Sequence, residues 1–136
     1  MQFKVKYRIY YEDTDAGGVV YHSNYLNFAE RARTEMLREC GVSQNKLIVD
    51  NGLLFVVQKL DIHYIQPLVL DDLIEIATRV KSARSASFAI EQNIFRNSEK
   101  SPSAILNCTI VCVIKKNEGF KPYKIPDNII NCIYKK

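Results

Sequence analysis

The sequence predicts an α+β domain in which one long helix packs against an antiparallel sheet of about five strands. Three observations carry that expectation. Apolar residues between Tyr25 and Cys40 recur at helical spacing. Residues 3 to 12 alternate with a period of two, and four later segments are rich in β-branched and aromatic residues. With 136 residues, 47% of them hydrophobic and 25% charged, the chain is long enough for one real core and too short for two. Residues 1–136 therefore read as a single domain.

Each element has its own signal. Phe3, Val5, Tyr7, Ile9 and Tyr11 share one face of a half-buried first strand, with Lys4, Lys6, Arg8 and Glu12 largely on the other. Ser23 or Asn24 offers a cap to the helix that follows. Along that helix Tyr25, Phe28, Ala29, Ala32, Met36, Leu37 and Cys40 form the apolar stripe, Arg31 and Glu35 are spaced for an i,i+4 contact, and Gly41 is the expected stop. Strands are expected near 53–66, 73–82, 85–96 and 103–116, divided by Pro67 with Asp71-Asp72, by Ala83-Arg84 and by Asn97 to Pro102. A short terminal helix is expected over Ile125–Ile133, with Pro126 in its first turn.

Composition narrows the function. The formal charge of +4 is spread along the chain, with small clusters at Lys115-Lys116 and Lys135-Lys136, and no basic block interleaves with aromatics. Dedicated nucleic-acid binding is not expected; a small phosphate-bearing anion suits this balance better. The longest apolar run, Leu53–Val57, is far too short for a bilayer span, and the N-terminus lacks a signal-peptide core, so a cytoplasmic protein is expected. Cys40, Cys108, Cys112 and Cys132 are expected to be reduced, buried thiols. Cys108 and Cys112 would stand ~13 Å apart along one strand, too far for a bridge or a shared metal. With His22 and His63 the only histidines, no metal-ligand cluster emerges. His63 itself reads as a surface-facing strand residue.

The chemistry concentrates in Asp13-Thr14-Asp15-Ala16-Gly17-Gly18-Val19-Val20-Tyr21-His22-Ser23-Asn24-Tyr25-Leu26. Carboxylates, a glycine pair and a helix N-terminus fall within a few residues of one another, and a helix start favours developing negative charge. If the strand persists through residue 15, Asp13 and Asp15 share a face; Asp15 can then serve as nucleophile or as base for water. Both aspartates equally suit Asx turns ahead of Gly17-Gly18. Gly18 permits positive φ and close approach of another molecule. His22 is expected neutral at the helix entrance, with its ring or its N–H available to a carbonyl oxygen. Ser23 reads as a cap, since no Gly-x-Ser-x-Gly elbow supports a nucleophile. Glu30 and Arg33 read as an ion pair by default.

Taken whole, Tyr11 to Leu26 followed by Glu30-Arg31-Ala32-Arg33 resembles the signature of hotdog-fold acyl-CoA thioesterases. Within these it is most similar to the bacterial Tol-Pal-associated branch, relatives of 4-hydroxybenzoyl-CoA thioesterase. Tyr64 to Asp72 matches the family's second recurrent stretch. The resemblance implies a hotdog fold, a long helix wrapped by a curved antiparallel sheet, assembled into dimers and often tetramers. It implies an acyl-CoA substrate and hydrolysis without metal or cofactor. It puts Asp15 at the catalytic acid position, His22 where an N–H polarises the thioester carbonyl, and Gly18, Tyr21, Asn24 and Tyr25 at pocket-shaping positions. Lys81, Arg84 and Lys116 are the cations to consider for CoA phosphates, although as strand-end charges they are equally suited to solvent. A hotdog dehydratase and a non-catalytic acyl-binding or cell-envelope scaffold are the competing readings.

Overall fold

The computed structural model describes residues 2–134; Met1 and the Lys135-Lys136 cluster lie outside the described residues. In chain order the elements are β1 (Phe3–Arg8), α1 (Asn24–Glu39), α2 (Gln44–Asn51), β2 (Leu53–Tyr64), β3 (Leu73–Ala83), β4 (Ser87–Arg96), β5 (Ala104–Lys116), β6 (Gly119–Pro122) and α3 (Asp127–Ile133). The strands make one six-stranded sheet in the order β1-β3-β4-β5-β2, with β6 paired to β5. Every pairing is antiparallel.

Helix α1 buries Tyr25, Phe28, Ala29, Ala32, Met36 and Leu37, the stripe expected from the spacing. It ends in a Schellman motif: Val42 N–H donates to Leu37 O at 2.9 Å and Gly41 N–H to Arg38 O at 2.9 Å, with Gly41 at φ +79°. The stripe is buried in two stages. Its N-terminal half joins Ile9, Val20, Leu68, Ile74, Ile76, Ile94 and Leu106. Its C-terminal half meets Val80, Phe88, Ile90, Ile110 and the apolar side of α3. Between these clusters lies a buried polar seam of Thr78 and Gln92, both 0% exposed.

Several expectations need correcting. The described residues form six strands and three helices; α2 and β6 go beyond the expectation because they carry no apolar period to read, and β6 is exposed throughout. Helix α2 is set by its ends instead: Ser43 Oγ accepts from Lys46 N–H, and Gly52 follows in the left-handed region at φ +68°. Strand β1 stops at Arg8 rather than running to residue 12. The Asp13 carboxylate accepts the Tyr10 N–H at 2.8 Å, which stabilises a 3-10 turn over Tyr11–Asp13 and leaves Tyr11 82% exposed. Glu35 pairs with Arg38 rather than Arg31, whose guanidinium lies over the Phe28 ring.

The cysteines divide. Cys108 and Cys112 are free and buried, and burial pushes both thiols up in pKa. Cys40 and Cys132 instead form a disulfide with Cα atoms 6.0 Å apart, tying the end of α1 to α3. Their separation of 92 positions in sequence conceals a proximity that only the docking of α3 creates.

Candidate active site

Residues 13–25 form a looped entrance to α1. Thr14 bridges Val20, Asp15 N–H donates to Val19 O at 2.9 Å, and Gly18 N–H donates to Asp15 O at 3.0 Å. Gly18 closes this turn at φ +82°, where a Cβ would be strained. Asp15 Oδ1 accepts the Gly17 N–H at 2.8 Å, and a Cβ on Gly17 would stand 3.2 Å from that same oxygen. The expected Asx turn is therefore present at Asp15. Asp13 and Asp15 do not share a strand face, because the 3-10 turn separates Asp13 from the ladder.

The helix start is held by Asn24. Its Nδ2 donates to Asp13 O at 2.9 Å, and its N–H to Tyr21 O at 2.9 Å. Ser23 makes no side-chain cap, since its own backbone is already helical. Among the described residues no acceptor is placed on the N–H groups of His22 or Ser23. These two amides, at the entrance to α1, are unsatisfied donors on the same loop as the exposed Asp15.

A second segment props this loop from behind, and it is the other stretch singled out in the sequence. Val20 N–H donates to Leu68 O at 2.8 Å, and Val19 bridges Val69. Tyr64 Oη donates to His22 O at 2.8 Å, which aims the peptide that follows His22. Tyr25 Oη accepts from Leu68 N–H at 3.2 Å and its ring meets Tyr64 edge-on at 4.9 Å. Burial raises the Tyr25 pKa, so the phenol stays protonated. The Tyr21 and His22 rings lie 4.4 Å apart.

Asp72 was legible in the sequence only as part of a turn, yet it anchors the prop. Buried at 5% exposure, it accepts from Val69 N–H at 2.9 Å and Asn97 Nδ2 at 2.8 Å, with Arg96 Nε at 3.6 Å. The local signal for Asp72 was indistinguishable from an Asx turn; its partners on β4 and the following turn are 24 or more residues away.

The structure thus gathers Asp15, Gly18, Tyr21, His22, Asn24 and Tyr25. It does not bring Lys81 or Arg84 to them within one chain. Lys81 lies roughly 26 Å along β3 from Leu73, the end nearest the loop, and its Nζ donates to Asn107 Oδ1 at 3.3 Å. Arg84 sits at the β3–β4 turn and Lys116 at the end of β5. Glu30 and Arg33 form no ion pair; Arg33 reaches the seam instead and donates to Gln92 Oε1 at 3.0 Å.

An antiparallel sheet packed on one long helix, with a carboxylate loop at that helix's entrance, is a hotdog domain of the thioesterase kind. The chain belongs to the thioesterase-like superfamily, whose model matches residues 10–132. It is 43% identical to the acyl-CoA thioester hydrolase YbgC of Escherichia coli over 94% of this chain and 92% of that one. The Haemophilus influenzae acyl-CoA thioesterase YbgC is 41% identical, over 93% and 90%. A probable thioesterase from Bartonella henselae superposes with a TM-score of 0.83 at 34% identity, covering 93% of this chain and 100% of the other. The 4-hydroxybenzoyl-CoA thioesterase of a Pseudomonas species shares the fold at a TM-score of 0.89 and 19% identity, over 96% and 98%. No helix among the described residues is long and apolar enough to cross a membrane.

Proposed function

We propose that this chain hydrolyses acyl-CoA thioesters, with Asp15 as the reacting carboxylate. One observation carries the reading: Asp15 is exposed on the glycine-containing loop that also carries the unpaired His22 and Ser23 amides at the entrance to α1. The thioester carbonyl oxygen docks against those amides, which stabilise the negative charge it gains in the transition state. Asp15 then attacks the carbonyl carbon, expelling CoA thiolate and leaving a mixed anhydride that water opens. Alternatively it takes a proton from a water that attacks directly. Either route turns thioester and water into carboxylic acid and CoA thiol. The Gly17 contact engages Oδ1, and the Asp15 side chain makes no further hydrogen bond among the described residues.

The same reading makes the enzyme a dimer. Strand β2 is an edge twelve residues long, and it exposes Val56, Val57 and Tyr64. Such an edge is a template for pairing with a copy of itself. Antiparallel self-pairing about the middle of β2 would set Tyr64 of one chain opposite Leu53 of the other. The partner then closes a site that is open in the single chain. Tetramers are proposed on the family resemblance, and size-exclusion chromatography reads them. On the same reading we propose a cytoplasmic enzyme, in which the Cys40–Cys132 bridge would meet reducing thiols. The association with the Tol-Pal system is proposed on resemblance, and co-purification with those components tests it.

The test is release of free thiol from a panel of acyl-CoAs. Asp15→Asn should keep the fold and lower turnover by roughly 10²- to 10⁴-fold; undiminished turnover rejects the assignment. The Asx turn at Asp15 is also what a purely structural aspartate would show. Tight acyl-CoA binding with no thiol released from any ester would identify a binding module instead.

A further inference from the structure

A second feature lies away from the Asp15 loop, where α1 leans over β2. There a cleft of about 280 Å³ has an apolar floor that includes Leu37, Phe55, Phe88 and Ile110. Arg33 and Glu30 stand on its polar side. The arginine is unusual in its company. Each of the five ion pairs among the described residues lies elsewhere, so no carboxylate comes within 4.0 Å of its guanidinium.

Arg33 is also held still. Gln92 is fully buried and spends both amide protons, one on Ala29 O at 2.9 Å and one on Thr78 Oγ1 at 3.0 Å. Its Oε1 must therefore face the arginine, which donates to it at 3.0 Å. One of the five guanidinium N–H donors is thus committed to the core. No other acceptor is placed on the rest among the described residues. Thr34 and Gln44, the other polar neighbours, are bonded to each other at 3.0 Å. A fixed cation with no carboxylate at ion-pair distance, at the polar side of an apolar cleft, suits a ligand with an apolar body and an acceptor oxygen at its tip.

We infer that this cleft is the acyl-selecting pocket and that Arg33 makes it favour acyl groups ending in an acceptor oxygen, a carboxylate above all, over plain alkyl chains. The inference rests on the thioesterase reading and names its substrate class. Its geometry agrees with the proposed self-pairing of β2: Phe55–Val57 border the cleft, and in that pairing they would face residues 60–62 of a second copy, next to the Tyr64 that holds the His22 carbonyl. Glu30 is exposed and screened by solvent, so it weakens the preference without cancelling it.

Matched pairs of CoA esters test this on the full chain: an alkanoyl-CoA and its ω-carboxyalkanoyl counterpart, at each length from about four to twelve carbons. At the favoured length the ω-carboxy ester should show kcat/KM at least about tenfold higher. Arg33→Met should lower kcat/KM for that ester by about 10- to 100-fold while changing the alkanoyl value less than about threefold; Arg33→Lys should retain part of the preference. Equal rates within every pair overturn the proposal, as does an equal loss on both esters in Arg33→Met, the mark of a merely structural arginine. Calorimetric binding of the same pairs to Asp15→Asn reads the cleft independently of turnover. A roughly tenfold difference in Kd that disappears with Arg33→Met supports the proposal, and equal Kd values refute it. Absence of thiol release from every ester would fail the hydrolase reading instead, a result the binding measurement keeps separate.

Discussion

Replacing Gln92 by Leu tests the polar seam that joins α1 to the sheet. Leucine is close to glutamine in size, so the change removes hydrogen bonds rather than volume. Three bonds disappear, to Ala29 O, Thr78 Oγ1 and the Arg33 guanidinium. Ala29 O keeps its helical donor, so its loss is small. Thr78 is 0% exposed and loses its partner, which costs about 1–3 kcal/mol. Arg33 loses a fixed acceptor but regains water on its cleft side, for about 1 kcal/mol more. Greater apolarity at residue 92 offsets about 1 kcal/mol of this, leaving a net loss of about 1–3 kcal/mol. At roughly 4 °C per kcal/mol for a chain of this size, Tm should fall by about 4–12 °C. Thermal unfolding followed by circular dichroism measures it. Adding Thr78→Val should recover about 1 kcal/mol, because the stranded hydroxyl is removed with its partner. A Gln92→Leu variant within about 0.5 kcal/mol of the parent, or a double variant weaker than the single, would refute the seam.

Other expectations follow from the same contacts. The Cys40–Cys132 bridge closes a 92-residue separation, so reductant should lower stability by about 2–5 kcal/mol. Cys132→Ser should abolish that response to reductant; a parent indifferent to reductant would show that the pair is not bridged in solution. Burial raises the pKa of Cys108 and Cys112 above the ordinary 9.0 and of Tyr25 above 10.0. In the unfolded chain these groups lose their protons first, so their contribution to stability is complete below about pH 9 and is lost as pH rises through the folded values. Urea midpoints should therefore fall as pH rises above about 9, first from the cysteines and then from Tyr25, and a flat profile would contradict it. Val57→Asp places a charge on the exposed β2 edge, where Val57 is 47% accessible in the single chain. Size-exclusion chromatography should find monomer and the thiol assay little activity; an intact dimer would rule out that edge as the interface.

The strand and helix framework was legible because each long element has one wet and one dry face, so its period is written in its own residues. The stripe from Tyr25 to Leu37 and the four later strands lie close to where alternation put them. Gly41 closes α1 for the same local reason, a left-handed C-terminal turn. The Asp15-Gly17-Gly18 loop and the helix entrance were legible too, because turn chemistry is local. Alternation overran the end of β1 because the Asp13 carboxylate captures the Tyr10 amide and opens a 3-10 turn, a local contact that competes with the strand. Tertiary structure alone decided the pairing of Cys40 with Cys132, the anchoring of Asp72 by Arg96 and Asn97, and the escape of Arg33 from Glu30 to Gln92. Those partners stand 24 to 92 positions apart and lie on different elements. A sequence period reports which face of an element is buried. Which polar group meets which across the packed layers depends on how the elements dock.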